Sequence, residues 1–293
     1  MLEAAPRLYI SAMFNPAILH DRSIIEVSGP ESRPFLQGLV TNDVMRVSAL
    51  TSVYAALLTP QGKIIYDFLL AGAPDGVRLD CHKDHAAELI ARLKKYRLRA
   101  KLAITDTSAG LAVVALPSPA PSAVADPRLA ALGYRAIIPN SELETWTQSL
   151  GIVLGNDTGY HEARIKLGVP DSRSDIPPET CFPLDCNFEE LHGVDFNKGC
   201  YVGQELTSRM KHRATARRRM LPVSALTLLP AAGTPLRNGT IEIGEMRGSI
   251  HNNGLALIRL DRLASTTEVT IDGTIIHIGR PAYSLILTGA EPE

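Results

Sequence analysis

Short runs of hydrophobic residues, bounded by turn residues, recur along the first third of the chain. These runs have the length and bounds of β-strands, and in chain order they are "SIIEVSG", "SVYAALL", "KIIYDFLLAG", "GVRLDCH" and "KLAITD". Between the second and third run, "TPQG" places Pro60 and Gly62 where a tight turn accepts them. The pattern therefore predicts several strands, two of which form a hairpin.

Two other segments in this third carry a helical pattern. "PESRPFLQGLV" predicts a helix with Pro30 in its first turn, and "KDHAAELIARLKKYRLRA" predicts a longer one with Asp84 as the N-cap. The longer helix has one apolar stripe, made of Leu89, Ile90, Leu93 and Tyr96. The order β-α-β-β-β-α-β is an elaborated split β-α-β sandwich, an antiparallel sheet with helices on one face.

A second unit begins near residue 107. The strands "GLAVVAL" and "YRAIIP" flank a Pro-, Ala- and Ser-rich stretch that is typical of an exposed loop. Ser141 and Glu144 form a capping-box pattern at the start of one helix. A further helix, "DTGYHEARIKLG", is expected to stop at Gly168 and Pro170.

From residue 219 the pattern changes to short strands with frequent glycines. Asp272 and Gly273 form a hairpin-turn signal between two of them. This part is expected to be a small all-β domain, either a sandwich or a barrel.

Composition restricts the classes of function. The chain has 293 residues, and 30 Lys and Arg balance 31 Asp and Glu, so no overall charge favours nucleic acid or an anionic membrane as a partner. Four cysteines are too few and too unevenly spaced for a secreted disulfide framework. No apolar run approaches a membrane span, and the first residues lack a targeting pattern, so we expect a cytoplasmic protein without membrane contact.

The stretch "NKGCYVGQELTSRMKHRATARRR", residues 197–219, combines a cysteine, two glycines and a basic run. A helix beginning near Cys200 would place the thiol at the positive end of the helix dipole, with Lys198 as a nearby cation, and both favour a reactive thiolate. Val202, Leu206 and Met210 would form its core-facing stripe, and Glu205 and Arg209 an i, i+4 ion pair. The residue types alone fit a small buried cysteine at a helix start equally well.

Three further features of the sequence bear on its chemistry. Cys181, Cys186 and Cys200 do not have the spacing of a zinc or cluster-binding motif, so no permanent metal site is expected. Asp67 lies mid-strand among apolar residues and is a site candidate, because a buried carboxylate needs a partner. A solvated face is the ordinary role of the basic run, so nucleic-acid binding is not expected; the run consists of Arg209, Lys211, Arg213, Arg217, Arg218 and Arg219.

The segment "KGCYVGQE", residues 198–205, resembles the K-G-C-[FY]-x-G-Q-E signature of the YgfZ/IBA57 family. These are folate-binding relatives of the glycine-cleavage T-protein that act in iron–sulfur cluster assembly and repair. "FLQGLVTNDV", "QGKIIYDFLL" and "RIKLGVP" support the resemblance in the family's order, so it covers nearly the whole chain. It implies an α+β fold of two ferredoxin-like units followed by a small C-terminal β-barrel. The domains would be residues 1–106 together with 160–215, residues 107–159, and residues 219–293.

The resemblance also implies the site. Cys200 is the functional, catalytic residue of the motif, and tetrahydrofolate or a one-carbon derivative is the cofactor. The residues expected to bind or surround it are Asp67, Lys198, Gly199, Tyr201, Gly203, Gln204, Glu205 and Arg209. T-proteins typically have an acidic residue in place of Lys166, and this departure argues against glycine-cleavage chemistry.

The leading hypothesis is thus a tetrahydrofolate-binding accessory protein for assembly or repair of [4Fe-4S] proteins. Its partners would be folate and iron–sulfur client proteins or assembly factors. The alternative is a folate-dependent one-carbon transferase of the aminomethyl type, in which Asp67 orients or deprotonates the folate. Whether the protein turns over a substrate is open at this point.

Overall fold

The computed structural model describes residues 13–172, 175–213, 217–263, 269–281 and 283. In chain order its strands are β1 Ala17–Ile18, β2 Arg22–Ser28, β3 Val53–Leu58, β4 Ile64–Ala73, β5 Gly76–His82, β6 Ala103–Asp106, β7 Leu111–Leu116, β8 Ala123–Ala125, β9 Tyr134–Pro139, β10 Arg218–Ser224, β11 Pro235–Asn238, β12 Ile241–Ile250, β13 Asn253–Arg259, β14 Thr270–Ile271, β15 Thr274–Ile275 and β16 His277–Ile278. The α-helices are α1 Ser32–Gln37, α2 Lys83–Arg97, α3 Leu143–Leu150, α4 Thr158–Lys166, α5 Gln204–His212 and α6 Leu260–Leu263. None of these helices combines the length and the hydrophobicity needed to cross a membrane.

The first sheet has the strand order β3-β4-β5-β2-β6 and is antiparallel throughout. One face packs against α1 and α2, where Leu36, Leu89 and Leu93 meet the sheet residues Ile25 and Phe68. The strands and the β3–β4 hairpin were predicted, because their apolar residues follow the strand period and "TPQG" suits the turn. Both faces of the first sheet are buried, so this sheet is an inner layer of the molecule.

The second sheet has the order β1-β7-β9-β8. Strand β1 pairs with β7, with Ala17 opposite Ala115, so this early segment joins the second sheet although the predicted limits placed it in the first unit. Helix α3 covers one face through Leu143 and Trp146. The domain limits given above otherwise stay a prediction.

The C-terminal sheet has the order β15-β14-β11-β12-β13-β10-β16 and curls around its own apolar core. Asp272 and Gly273 turn β14 into β15 with positive φ values, as the Asp-Gly signal predicts. With two antiparallel sheets, their helices and a nearly closed C-terminal barrel sheet, the α+β class is confirmed.

Several helix starts differ from the predictions. Helix α1 begins at Ser32 behind Glu31, so Pro30 lies before the helix rather than in its first turn. The N-cap of α2 is His82, whose ring Nδ1 accepts a hydrogen bond from the Asp84 amide at 3.3 Å. Helix α3 has Glu142 as its N-cap without a side-chain bond, so Ser141 and Glu144 make no capping box. The three N-caps are Glu and His rather than the Ser, Thr, Asp, Asn or Gly that usually precede a helix, so the local pattern did not mark them.

The largest core lies between the layers. It joins the second face of the first sheet, through Tyr54 and Leu69, to Tyr160 of α4 and to Met220 and Leu257 of the barrel. This common core holds the three sheets together. Buried charged groups lie on the same inner face.

Candidate functional site

Cys200 lies in a loop and not in a helix. Helix α5 begins only at Gln204, and Gly203 before it adopts a left-handed conformation with φ +81°. The expected helix start near Cys200 is therefore wrong, and the thiol is outside the first turn, where the helix dipole acts. Cys200 is exposed, whereas Cys81, Cys181 and Cys186 are buried.

Lys198 anchors one side of this thiol loop, residues 197–203. Its ammonium donates three hydrogen bonds to main-chain carbonyls of Gln37, Val40 and Asn42, at 2.8, 2.6 and 2.9 Å. Burial lowers the pKa of Lys198 to about 8, so the group is still mainly charged at neutral pH. Because its three N–H groups are all engaged, Lys198 ties the loop to the segment after α1.

Gly203 anchors the other side of the thiol loop. A Cβ at this position would lie 2.5 Å from the carbonyl oxygen of Thr59 and 3.1 Å from the Cα of Gly62. The hairpin between β3 and β4 and the start of α5 thus touch backbone to backbone, which only glycine allows. In contrast, a Cβ on Gly199 would meet nothing within 4 Å.

The segment after α1 is itself tied to the edge of the first sheet. Thr41 donates from Oγ1 to the Gly193 carbonyl at 2.6 Å, and Asn42 donates from Nδ2 to the carbonyls of Tyr54 and His192 at 2.8 and 2.6 Å. Three stretches that carried the family resemblance, residues 35–44, 61–70 and 198–205, therefore meet around the edge strand β3. Sequence separation alone gives no sign of this meeting.

The remaining motif residues differ in how deeply they are buried. Tyr201 is buried, and its ring lies under the Lys198 ammonium, 5.1 Å from the ring centre. Gln204 is half-buried, whereas Glu205 and Arg209 are exposed. Among the described side chains, Glu205 and Arg209 do not come within ion-pair distance of each other. The buried side chain of α5 is Thr207 rather than the expected apolar stripe.

The basic run is partly neutralised by acidic neighbours. Lys211 pairs with Glu189 at 2.5 Å and Arg218 with Asp185 at 2.7 Å. Arg219 lies 3.8 Å from a carboxylate oxygen of Glu190. Residues 214–216 of the run lie outside the described residues. These pairs fasten the entry into the barrel to the preceding segment.

The other two cysteines of the trio lie apart from the thiol loop. Cys181 and Cys186 are fully buried in the common core. The Cys186 thiol hydrogen-bonds to the Cys181 sulfur and lowers the pKa of Cys181, while burial raises the pKa of Cys186. Arg247 donates towards the Cys181 sulfur at 3.6 Å. In the part of the chain that the structure describes, these two do not converge with Cys200 on one point.

Asp67 lies on β4 and points to the inner face of the first sheet. Tyr54 donates its hydroxyl to Asp67 Oδ2 at 2.9 Å, while Oδ1 has no hydrogen-bond partner among the described residues. Burial raises the pKa of this carboxyl, and the charge of Asp171 adds to the rise. The structure thus confirms a buried mid-strand carboxylate, but it does not bring Asp67 into the thiol loop.

A cavity of about 360 Å3, which we call the inner cavity, opens between the first and second sheets. Leu69, two residues beyond Asp67 on the same strand face, lines it, together with Arg78 and Asp80 of β5 and Arg135 of β9. The volume lies within the range of small-molecule sites.

Sequence reasoning missed the charged residues of this cavity. Asp80 accepts from Arg22 and from Arg135, each at 2.6 Å, and Tyr160 accepts from both Arg128 and Arg135. Asp80 and Arg135 lie mid-strand among apolar residues, as Asp67 does. A charged residue within an apolar strand is therefore the sequence signal that marks all three.

Known proteins resemble the chain over most of its length. It is 32% identical to "Iron-sulfur cluster assembly factor IBA57, mitochondrial" of Homo sapiens, and the match covers 86% of this chain and 79% of that protein. The chain belongs to the IBA57 family. A homologue from Mycosarcoma maydis is 35% identical over 77% of this chain, and the match spans 60% of the fungal protein. Both relatives are named as mitochondrial, so the cytoplasmic location stays a prediction.

Two further comparisons concern the fold of this IBA57-family chain. Residues 217–284 match the family "CAF17, C-terminal beta-barrel domain". The crystal structure of glycine cleavage system aminomethyltransferase T from Bartonella henselae superposes with a TM-score of 0.71 at 15% identity, over 92% of this chain and 86% of the other. The expected T-protein-like fold with a C-terminal barrel is confirmed.

Proposed function

We propose that this IBA57-family chain is an accessory protein for assembly or repair of iron–sulfur proteins, [4Fe-4S] proteins among them, and that it acts through the thiol of Cys200. Its relatives from Homo sapiens and Mycosarcoma maydis are named iron–sulfur cluster assembly factors. The cluster is cargo here, carried by partner proteins.

The observation that carries the proposal is the placement of Cys200. It is the exposed cysteine of the four, and it lies between two anchored residues, Lys198 and Gly203. An exposed thiol on a fixed loop can meet a sulfur or iron atom on another protein, whereas the three buried thiols cannot. Anchors on both sides also reduce the entropy lost when the loop docks.

A Cys200→Ser variant tests this role. In cells that lack the chain's own gene, we expect wild-type protein to restore [4Fe-4S] enzyme activity and Cys200→Ser to fail, at equal protein level. Asn197→Ala, on the same exposed loop, is the matched control and should restore activity. Full activity with Cys200→Ser would refute the thiol role.

Tetrahydrofolate is the cofactor that we propose for the inner cavity. Arg78 and Arg135 line this cavity and can pair with the anionic glutamate tail of the folate. Asp67 does not line it, but lies two residues before the lining residue Leu69 on the same strand face, with its Oδ1 buried and unpartnered among the described residues. Tetrahydrofolate supplies nitrogen atoms that carry one-carbon units. The donor set of the cavity therefore fits the molecule.

Titration with tetrahydrofolate separates the cofactor from the thiol. Binding should survive Cys200→Ser, because the thiol loop does not line the cavity. It should weaken at least about tenfold in Arg78→Met, through loss of a charge-assisted hydrogen bond to the glutamate tail. Absence of binding to the wild-type chain would refute the cofactor proposal and leave the thiol role to its own test.

A folate-dependent one-carbon transferase is the second candidate, favoured by Asp67 itself. Burial raises the pKa of Asp67 above its ordinary value, which favours proton exchange between this carboxyl and a bound folate. If the chain transfers one-carbon units to tetrahydrofolate, Asp67→Asn should abolish the transfer and Cys200→Ser should leave it intact. Lack of measurable transfer by the wild-type chain would dismiss this candidate.

A further inference from the structure

Three buried side chains from separate parts of the chain converge on one point. Asp21 lies between β1 and β2, His161 lies in α4, and Asp171 lies five residues beyond the end of α4. One ligand atom from each lies within 4.8 Å of the other two. Their exposed fractions are 6%, 5% and 3%, so water does not solvate them freely.

The polar atoms of Asp21 and His161 make no hydrogen bond that meets the usual geometry, although they lie within ion-pair distance of each other. Both carboxylate oxygens of Asp21 and both ring nitrogens of His161 are buried without a hydrogen bond from any described residue. Leaving such atoms unpaired is costly, and native proteins rarely do so without a bound group. His161 Nε2 lies 3.4 Å from Asp21 Oδ2, and no hydrogen bond joins them.

This spacing suits a metal ion. Nitrogen and oxygen ligands about 2.0–2.2 Å from a tetrahedral ion lie about 3.4 Å from each other. We propose that Asp21, His161 and Asp171 bind one divalent transition-metal ion of the zinc class, a group that prefers imidazole and carboxylate ligands. A fourth position is left for water or another small ligand.

Neighbouring groups have the positions that support metal ligands. His82 accepts at Nδ1 from the Asp84 amide, so its neutral ring carries the proton on Nε2, 3.9 Å from Asp21 Oδ2. Arg164 Nε lies 3.5 Å from Asp171 Oδ2. N–H groups that face ligating carboxylates hold them in orientation.

The site also has an approach from solvent. His161 and Arg164 line a cavity of about 390 Å3 between α4 and the barrel, with Arg247 and Ser249 on its far wall. The cavity thus brings solvent up to the His161 side chain, whose ring nitrogens are themselves buried.

The alternative is a buried ion pair between protonated His161 and Asp21. The surface offers a matched control, because His251 Nε2 also lies 3.4 Å from a carboxylate oxygen, of Glu162, but on an exposed face. If His161 and Asp21 formed only an ion pair, neither His161→Gln nor His251→Gln would change the affinity of the chain for Co2+. If they bind a metal ion, His161→Gln should lower the affinity for Co2+ and His251→Gln should not.

The experiment is Co2+ titration of the full, chelator-treated chain in a Cys200→Ser background. We expect one Co2+ per chain, with visible d–d absorption and no thiolate-to-cobalt charge transfer. Affinity should fall at least about 100-fold in Asp21→Asn and in His161→Gln, and should be unchanged in His251→Gln.

A second measurement covers variants that fail to fold. Zn2+ at 100 times its Kd should raise the Tm of the chain by about 5 °C, and a chelator should reverse the rise. The proposal is overturned if the chain binds no Co2+ and shows no Tm rise, if both variants keep full affinity, or if the spectrum is that of a thiolate site.

Discussion

Cys200 owes its exposed position to its neighbours. Lys198 and Gly203 hold the two sides of the thiol loop, one through three carbonyl hydrogen bonds and the other through the absence of a side chain. The motif K-G-C-Y-V-G-Q-E therefore contains one exposed thiol and the residues that present it. Gly199, beside the thiol, has open space around it and allows a partner to approach.

Replacement of the two glycines of the thiol loop should have very different effects. Gly203→Ala would force a Cβ against the Thr59 carbonyl at 2.5 Å in a left-handed backbone, so we expect a loss of about 2–4 kcal/mol of unfolding free energy. Gly199→Ala should change it by less than about 0.5 kcal/mol. Urea unfolding measures both, and equal values would contradict the anchoring role of Gly203.

For single residues, the sequence predicts burial better than it predicts which other residues a side chain contacts. The burial of Asp67 followed from its place among apolar strand residues, and the structure confirms it. The surroundings of Cys200 did not follow, because the left-handed Gly203 interrupts a segment whose composition suits a helix. The partners of Lys198 lie about 160 positions away in the sequence, so no local pattern reveals them.

Arg135 is the element-scale link between the first and second sheets. From β9 it reaches across to Asp80 of β5 and to Tyr160 of α4, and all three side chains are buried. Asp80 also accepts from Arg22 of β2. The cavity walls are therefore joined by charge pairs as well as by apolar packing.

Removal of Arg135 tests this link. Arg135→Met leaves Asp80 buried with one cation instead of two, and we expect a loss of about 3 kcal/mol of unfolding free energy. Arg78→Met is the matched control, because the Arg78–Glu26 pair is about a quarter exposed and should contribute less than about 1 kcal/mol. The link would be refuted if the two variants unfolded at the same urea concentration.

Elements with a strong period were predicted well, and those defined by tertiary pairing were not. The strands of the first sheet and the Asp272-Gly273 turn follow from local pattern and turn chemistry. Strand β8 lies in the Pro-, Ala- and Ser-rich stretch predicted to be a loop, and it exists because it pairs with β9. The N-cap His82 contacts an amide only two residues away, and it was missed because histidine is not among the residues usual at that position.

At the scale of the whole molecule, one core joins all three sheets, and buried charges lie along its inner face. Two of these charges have lowered pKa values. Burial alone would raise the pKa of Asp80 and of Asp126, but Arg22 and Arg135 beside the first and Arg128 beside the second outweigh it. The folded chain therefore binds fewer protons at these groups than the unfolded chain does in acid.

The stability of the molecule should thus depend on acid in a defined direction. Carboxyls with a lowered folded-state pKa stabilise the fold at pH values above the unfolded value of about 3.9, and this contribution is lost as pH falls towards the folded values. For Asp80 and Asp126 we expect a contribution that stays nearly level between pH 7 and about pH 5 and then falls by up to about 1.4 kcal/mol per pH unit for each group, whereas the raised pKa of Asp67 acts in the opposite direction. Urea unfolding at several pH values measures this.

Arg135→Met should flatten the acid limb, which is the fall of unfolding free energy below about pH 5, because it raises the pKa of Asp80 towards the unfolded value. Arg78→Met should leave the acid limb unchanged. An identical acid limb in wild type and Arg135→Met would show that the fold does not depend on the charged state of Asp80.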